Sequence, residues 1–198
     1  MKVLGIYGSP RPGGNSDLLL DRTLAGAAEA GAVSDRIYVR DLKISGCLEC
    51  GGCDETGACV VPDDMDDVYP RLQEAEVVIM AAPLFFCGVP AQLKALVDRS
   101  QALWAGRRLV KTPDQWKNYD HGRGYCIAVG ATKGKTMFDG AKMTAKYFYD
   151  ALDKSYEGGL FYARIEKKGA IRDHPQALQE AFDLGRKAVA GRIVNFNN

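Results

Sequence analysis

The chain has almost no charge imbalance. Its 198 residues carry 26 lysines and arginines against 25 aspartates and glutamates, a net charge of +1. A nucleic-acid-binding domain normally shows a basic excess or stripe, so no nucleic-acid partner is expected. Long hydrophobic runs are also missing. The longest, VVIMAAPLFF at 77–86, contains a proline and falls short of the roughly 20 apolar residues that span a bilayer, so no membrane association is expected. The N-terminal MKVLGIYGSPR lacks the apolar length and small-residue cleavage site of a secretory leader. The chain is therefore read as cytoplasmic, where cysteines stay reduced and a tight cysteine cluster points to metal rather than disulfides.

Familiar phosphate motifs are absent too. GATKGKT at 130–136 resembles a Walker A loop, but only three residues separate Gly130 and Gly134 where that motif needs four. No strand is followed by G-x-G-x-x-G, so a Rossmann dinucleotide site is not supported. Neither Cys87 nor Cys126 has the arginine that a phosphatase loop would place after five intervening residues. The two histidines, His121 and His174, have no second ligand nearby in sequence and are read as surface residues.

What is present suits a buried core. Apolar residues make up 46% and charged residues 26%. One domain is expected over residues 1–198, with a cysteine-rich loop at 46–60 and a polar excursion at 105–122. Apolar runs at 3–9, 36–42, 76–83, 125–131 and 158–165 read as five strands. Between and after them, helices are expected from Asn15 and Ser16 to about Gly31, and over 63–75, 90–104, 136–152 and 175–194, with Pro70 breaking or delaying the second. Strand and helix alternate, which predicts a parallel sheet covered on both faces.

In such a sheet, ligands bind outside the carboxyl ends of the strands, near the switch point in strand order. The unusual segments all follow strand ends: GSPRPGGNS at 8–16, the cysteine loop, PLFFCGVP at 83–90 and ATKGKT at 131–136. The first delivers the chain into a helix N-terminus, where free N–H groups favour a phosphate; an ordinary capped turn explains it equally well. The cysteine loop, CLECGGCDETGAC at 47–59, holds Cys47, Cys50, Cys53 and Cys59 in a C-x2-C-x2-C-x5-C pattern. Three readings stay open for it: an iron-sulfur cluster, which suits C-x2-C-x2-C runs with a further cysteine; a zinc ion, which more often takes two separated knuckles; or unligated thiols. Glycines 51, 52 and 57 would let the loop wrap tightly. Cys87 and Cys126 sit among apolar residues and are expected in the core. Asp98 and Arg99 read as a helix-end salt bridge or subunit contact, and Trp104 and Trp116 as lid or interface residues.

GSPRPGGNS after the first strand, APLFFCGVPAQLKALVDR at 82–99 and a glycine-containing loop after the fourth strand resemble the NADPH-dependent FMN reductase family. The resemblance is weakest beyond about residue 150. The cysteine pattern, with CVVPDDM after it, is similar to the iron-sulfur flavoprotein subgroup. The resemblance implies a flavodoxin-like three-layer sandwich with a five-stranded parallel sheet in the order 2-1-3-4-5. It implies an FMN-dependent, NAD(P)H-linked oxidoreductase with a [4Fe-4S] cluster on the four cysteines. Ser9, Arg11, Asn15 and Ser16 match the loop for the FMN phosphate; Pro83, Leu84, Phe85 and Phe86 the loop along the flavin ring; Ala131, Thr132, Lys133 and Gly134 the loop at the ring edge. Phe85 stands where the family often has tyrosine. Strand 2 should lie beside strand 1, which would bring a cluster close to the flavin, within the chain or across a subunit boundary. A homodimer or homotetramer is implied, working with a small-molecule electron donor or acceptor or a redox protein. The alternatives are a cluster-free FMN or quinone reductase and a zinc-stabilised binding module with no redox turnover.

Overall fold

The computed structural model describes residues 1–191 of the chain. Its most apolar strand, Val77–Pro83, lies in the middle of a five-stranded sheet whose neighbouring strands all run parallel. In chain order the strands are β1 (Lys2–Tyr7), β2 (Val33–Tyr38), β3 (Val77–Pro83), β4 (Arg123–Val129) and β5 (Ser155–Tyr162). Side by side they run β2-β1-β3-β4-β5, the expected order.

Alternation along β3 feeds two cores, because successive side chains leave a strand on opposite faces. Val77, Ile79 and Ala81 meet Leu19, Leu20 and Leu24 of α1 (Asn15–Glu29) and Ala177, Ala181 and Leu184 of α6 (Pro175–Ala190). Val78, Met80 and Ala82 meet Met65, Val68 and Leu72 of α2 (Met65–Glu74), Leu93 and Leu96 of α3 (Ala91–Arg99), and Ala145 and Phe148 of α5 (Asp139–Ala151). Burying each such leucine contributes about 1.5–3 kcal/mol. The Tyr149 hydroxyl, inside the second core, donates to the Tyr125 carbonyl and accepts from the Met80 N–H at 3.1 Å. That satisfies a buried polar group and pins α5 to the sheet.

Several element limits differ from the sequence reading. The helix expected over 90–104 is two helices, α3 and α4 (Gln101–Val110), hinged at Ser100. The polar excursion therefore starts as amphipathic helix, with Ala102 and Ala105 buried. α2 runs through Pro70 because Val68 and Leu72 on either side are buried in the core. Asn15 and Ser16 lie within the first turn of α1 rather than capping it; the cap position is Gly14. β2 ends at Tyr38, and Val39–Asp41 is a single 3-10 turn. β5 ends at Tyr162, three residues before the expected limit. α6 is described to Ala190, and the last three residues of the expected 175–194 span lie outside the described residues.

The register lines up the carboxyl ends. Tyr7 stands opposite Tyr38 and Ala81, Pro83 opposite Val129, and Val129 opposite Tyr162. The loops after β1, β3, β4 and β5 therefore leave the sheet along one edge.

Candidate functional site

A pocket of about 410 Å³ opens at that edge, near the switch point between β1 and β3. That volume is ordinary for small-molecule sites, roughly 300–1,000 Å³. Its wall takes Ser9, Arg11, Asn15 and Ser16 from the first loop, Pro83, Leu84 and Phe85 from the second, and Ala131 from the third.

The first loop closes on itself. The Ser9 hydroxyl accepts from the Arg11 N–H at 3.2 Å and donates to the Arg11 carbonyl at 3.1 Å, which also accepts from the Gly14 N–H. Leu18 donates the first bond of α1, to Gly14, so the N–H groups of Asn15, Ser16 and Asp17 precede the helical ladder. No side chain caps this end. The Ser16 hydroxyl is 2% exposed and has no partner. Free N–H groups at a helix N-terminus beside an unpaired buried hydroxyl suit a phosphate. Asn15 does something else. Its amide donates to the Lys167 carbonyl at 2.9 Å and accepts from the Ile171 N–H at 3.2 Å, so both ends are spent on the loop after β5.

The second loop is a tight hairpin. Phe85 and Gly88 exchange N–H···O bonds of 2.9 and 3.0 Å across Phe86 and Cys87. Both turn residues adopt left-handed backbone, φ 51° and 62°, which favours glycine or asparagine. Phe85 lines the pocket and is half-exposed, whereas Phe86 points fully into solvent and lies outside the wall. Cys87 is exposed, not in the core as expected, because the turn carries it out past the sheet edge; Cys126 is buried, and burial pushes its thiol up to about 12. Gly140 of α5 lets the hairpin close in: a Cβ there would lie 2.5 Å from the Cys87 carbonyl oxygen.

On the third loop Ala131 alone of the expected residues reaches the wall; Thr132, Lys133 and Gly134 are exposed beside it. The loop after β5 takes the space. Ile165 donates to the Gly130 carbonyl and Arg164 to the Thr132 carbonyl, both at 3.1 Å, and Ile165 and Glu166 complete the wall. The sequence reading missed these two because it carried β5 on to residue 165. It also missed a support beneath the first loop. Asp17, 3% exposed, accepts from the Gly13 N–H at 3.1 Å and from Arg40 at 3.0 Å, and Arg40 also donates to the Ser9 carbonyl. Burial holds the Asp17 carboxyl above the usual range against the pull of Arg40.

The four cysteines of the 47–59 loop line a different pocket, about 600 Å³, with Asp98, Arg99, Trp104 and Arg108. None is in a disulfide. Gly57, with φ 71°, lets the loop lie on α4, where a Cβ would come within 2.6 Å of the Gly106 Cα. Burial and the neighbouring Asp54 push the Cys53 thiol up. Burial acts the same way on Cys59, but the Val61 N–H, the Tyr69 hydroxyl and the Arg99 guanidinium outweigh it and hold that thiol below its ordinary value. A zinc ion, with Zn–S bonds of about 2.3 Å, would draw its thiolates to roughly 4 Å from one another. Among the described residues no three His, Cys, Asp or Glu side chains gather around a single-ion site. Four free thiols around one pocket are the donor set of an iron-sulfur cluster.

The two pockets share no lining residue. Strand adjacency suggested a closer pairing, and β2 does lie beside β1. The loop after it, however, runs back along α3 to α4 instead of staying at the sheet edge. Asp98 pairs with Lys94 at 2.8 Å and Arg99 with Asp63 at 2.5 Å, so both bonds are made within the chain. Trp104 and Trp116 meet each other, ring centroids 6.2 Å apart. His121 and His174 are exposed, as expected.

An open parallel sheet in this order, with its ligand pocket at the switch point, is the flavodoxin-like arrangement. The family model for NADPH-dependent FMN reductase matches residues 1–136, and the chain belongs to that family of flavin-linked oxidoreductases. It is similar to an iron-sulfur flavoprotein of Methanocaldococcus jannaschii, 43% identical over 133 residues, which cover 67% of this chain and 64% of that one. A second iron-sulfur flavoprotein, of Methanosarcina thermophila, is 41% identical over 103 residues, 52% of this chain and 54% of the relative. The chain thus spans just over half to under two thirds of these relatives' lengths. Among solved structures, an NAD(P)H:quinone oxidoreductase from Methanothermobacter marburgensis superposes with a TM-score of 0.72 at 15% identity, covering 94% of this chain and 95% of that one; it shares the fold. No helix among the described residues is long and apolar enough to cross a membrane.

Proposed function

We propose that the chain binds FMN in the switch-point pocket, takes reducing equivalents from NAD(P)H, and holds a [4Fe-4S] cluster on Cys47, Cys50, Cys53 and Cys59. One observation carries this reading: four free cysteines line one pocket of a chain whose separate switch-point pocket offers an uncapped helix N-terminus and an unpaired buried hydroxyl. The names of the two relatives agree with it.

When bound, FMN supplies the redox chemistry, accepting hydride from a nicotinamide, and the cluster supplies one-electron transfer. The chain's own residues bind and orient. Ser16, Arg11 and the free N–H groups of α1 hold the phosphate. Pro83, Leu84, Phe85 and Ile165, apolar residues of the pocket lining, would shield the flavin ring from water. Ala131 is the one residue of the 131–134 loop on the wall, and N–H groups of that loop would stabilise negative charge at the ring edge, with Lys133 a solvated cation beside them. Phe85 gives this wall no hydroxyl.

The acceptor is a small molecule or a redox protein, and the working form is a cytoplasmic homodimer or homotetramer. The two pockets share no lining residue within the chain, so a second reading is carried beside the first: a cluster-free FMN or quinone reductase, in which electrons leave the flavin directly. Anaerobic purification tests both. Flavin bands over a broad cluster absorption, with iron and acid-labile sulfide near four per chain, support the first. Flavin without iron supports the second. Colourless protein that cannot be reconstituted with FMN overturns both.

A further inference from the structure

Arg99 is the last residue of α3 and the largest fully buried side chain of the described residues, 1% exposed. A guanidinium cannot shed its charge, so burying it demands partners. Its partners all come from one place. One terminal nitrogen donates to Asp63 at 2.5 Å and to the Ser45 carbonyl at 3.2 Å. The other donates to the Val61 carbonyl at 3.0 Å. Ser45 lies two residues before Cys47, and Val61 two residues after Cys59. One planar fork therefore clasps both feet of the cysteine loop. The Tyr69 hydroxyl, donating to the Arg99 carbonyl at 2.9 Å, fixes the residue that carries the fork.

The fork leaves one donor over. The Arg99 Nε–H is buried with no hydrogen-bond partner, and Arg99 lines the pocket shared by the four cysteines, beside Cys59. A buried guanidinium N–H without a partner is expensive unless a ligand completes it. Sulfur atoms of a thiolate-held group are acceptors of the right kind, and hydrogen bonds to such sulfurs raise the potential of a cluster.

We propose that Arg99 is a positioning residue for the four-cysteine pocket: it ties the loop's two feet together, and its spare Nε–H donates to the Cys59 sulfur when that sulfur is a ligand. The inference rests on the cluster reading, and the test separates the two. Wild-type protein is compared with Arg99→Gln, which loses the fork and the charge, and with Arg99→Lys, which keeps the charge for Asp63 but cannot span Ser45 and Val61 at once. Each is assayed for bound FMN, iron and sulfide, and for amide exchange across residues 45–61 in the iron-free, reduced state. Where iron is held, the midpoint potentials are measured as well.

In iron-free Arg99→Gln, exchange across 45–61 speeds up at least tenfold while β3 and FMN binding do not change; Arg99→Lys falls between. In whichever variant retains iron, the one-electron reduction equilibrium of the cluster shifts at least tenfold toward the oxidised form, about 59 mV lower, with the flavin potential unmoved. Loss of iron from Arg99→Gln, with FMN kept and exchange raised, also supports the clasp. Unchanged exchange in Arg99→Gln overturns the inference whatever the iron content, and so does an unchanged cluster potential in an iron-bearing variant. Wild-type protein without iron sinks the cluster reading alone, and the exchange measurement then decides the clasp.

Discussion

Arg40 reaches Asp17 at 3.0 Å beneath the first loop, with side chains 14% and 4% exposed. The pair joins two parts of the chain with separate tasks. Asp17 belongs to the first turn of α1 and holds the Gly13 N–H; Arg40 leads from β2 into the cysteine loop and also donates to the Ser9 carbonyl. Taking away one partner strands the other charge in a dry setting, at a cost of about 3 kcal/mol. Asp17→Ala should therefore lower urea-unfolding stability by about that amount and weaken FMN binding at least tenfold, because Gly13 is released too. Asp17→Asn, which retains an acceptor for Gly13, should keep most of the FMN affinity. Flavin-fluorescence titration reads the difference, and equal affinity losses in the two variants would sink the bracing role.

Asn15 and Ser16 are neighbours with opposite expected responses. Asn15→Ala removes two bonds and leaves the buried Ile171 N–H unpaired, so it should cost about 2–3 kcal/mol of stability. Ser16→Ala removes a hydroxyl with no partner inside the chain, so stability should stay within about 0.5 kcal/mol. FMN affinity should nevertheless fall about tenfold, the worth of one hydrogen bond to a charged group. Denaturant melts of the FMN-free proteins alongside flavin titrations check both halves. A destabilised Ser16→Ala with normal FMN affinity would mean that the hydroxyl serves the fold.

These two residues mark how far the sequence could be read. Both were legible as pocket residues, because a G/S-rich turn after an apolar strand announces a strand-to-helix loop at the carboxyl edge. Their division of labour was not, because Asn15 is spent on the loop after β5, 152 residues away. Long-range pairings such as this leave no local periodicity. Ile165 and Glu166 escaped for a related reason: an apolar isoleucine just past a strand continues the strand pattern, and the left-handed Arg164 that ends it (φ 64°) carries no glycine signal. The parallel sheet with helices on both faces followed from strand-helix alternation; its order came only with the family resemblance. The hinge at Ser100 did not, since apolar spacing continues across it. The cysteines were legible as a set. Their place beside α3 and α4 was not, because nothing in C-x2-C-x2-C tells which way a loop folds back.

The hairpin at Phe86 and Cys87 gives a prediction with a binding control. Two consecutive residues in left-handed backbone cost about 1–2 kcal/mol each relative to residues suited to it. Phe86→Asn with Cys87→Gly supplies the pair that this turn favours. The double variant should be about 1–2 kcal/mol more stable, after allowing for the greater freedom glycine gives the unfolded chain. Because Phe86 lies outside the pocket wall, FMN affinity should remain within twofold. Thermal melts and flavin titration measure the two effects. Gained stability with at least tenfold weaker FMN binding would mean that the strained turn serves the ring, as the sequence resemblance implied for Phe86.

Lys154 is fully buried, its ammonium donating to the His121 carbonyl at 2.6 Å. Burial lowers its pKa from 10.5 to about 8, against the pull of Asp153 and Glu76. The unfolded chain therefore binds this proton more tightly than the folded one. Below about pH 8 both states are protonated, and burial costs a constant amount. Between about 8 and 10.5 the folded lysine is neutral while the unfolded one is still charged, so the cost shrinks as pH rises and vanishes above the unfolded value. The full swing is of order 3 kcal/mol, from 1.36 kcal/mol per pKa unit. Cys126 and the buried tyrosines work the other way at high pH, since their raised values favour the unfolded anion. Lys154→Met cancels them: those groups are common to both proteins. The stability advantage of Lys154→Met over wild type should fall by about 2 kcal/mol between pH 7 and pH 10 in urea unfolding. An advantage that stays constant across that range would mean that Lys154 keeps an ordinary pKa in the fold.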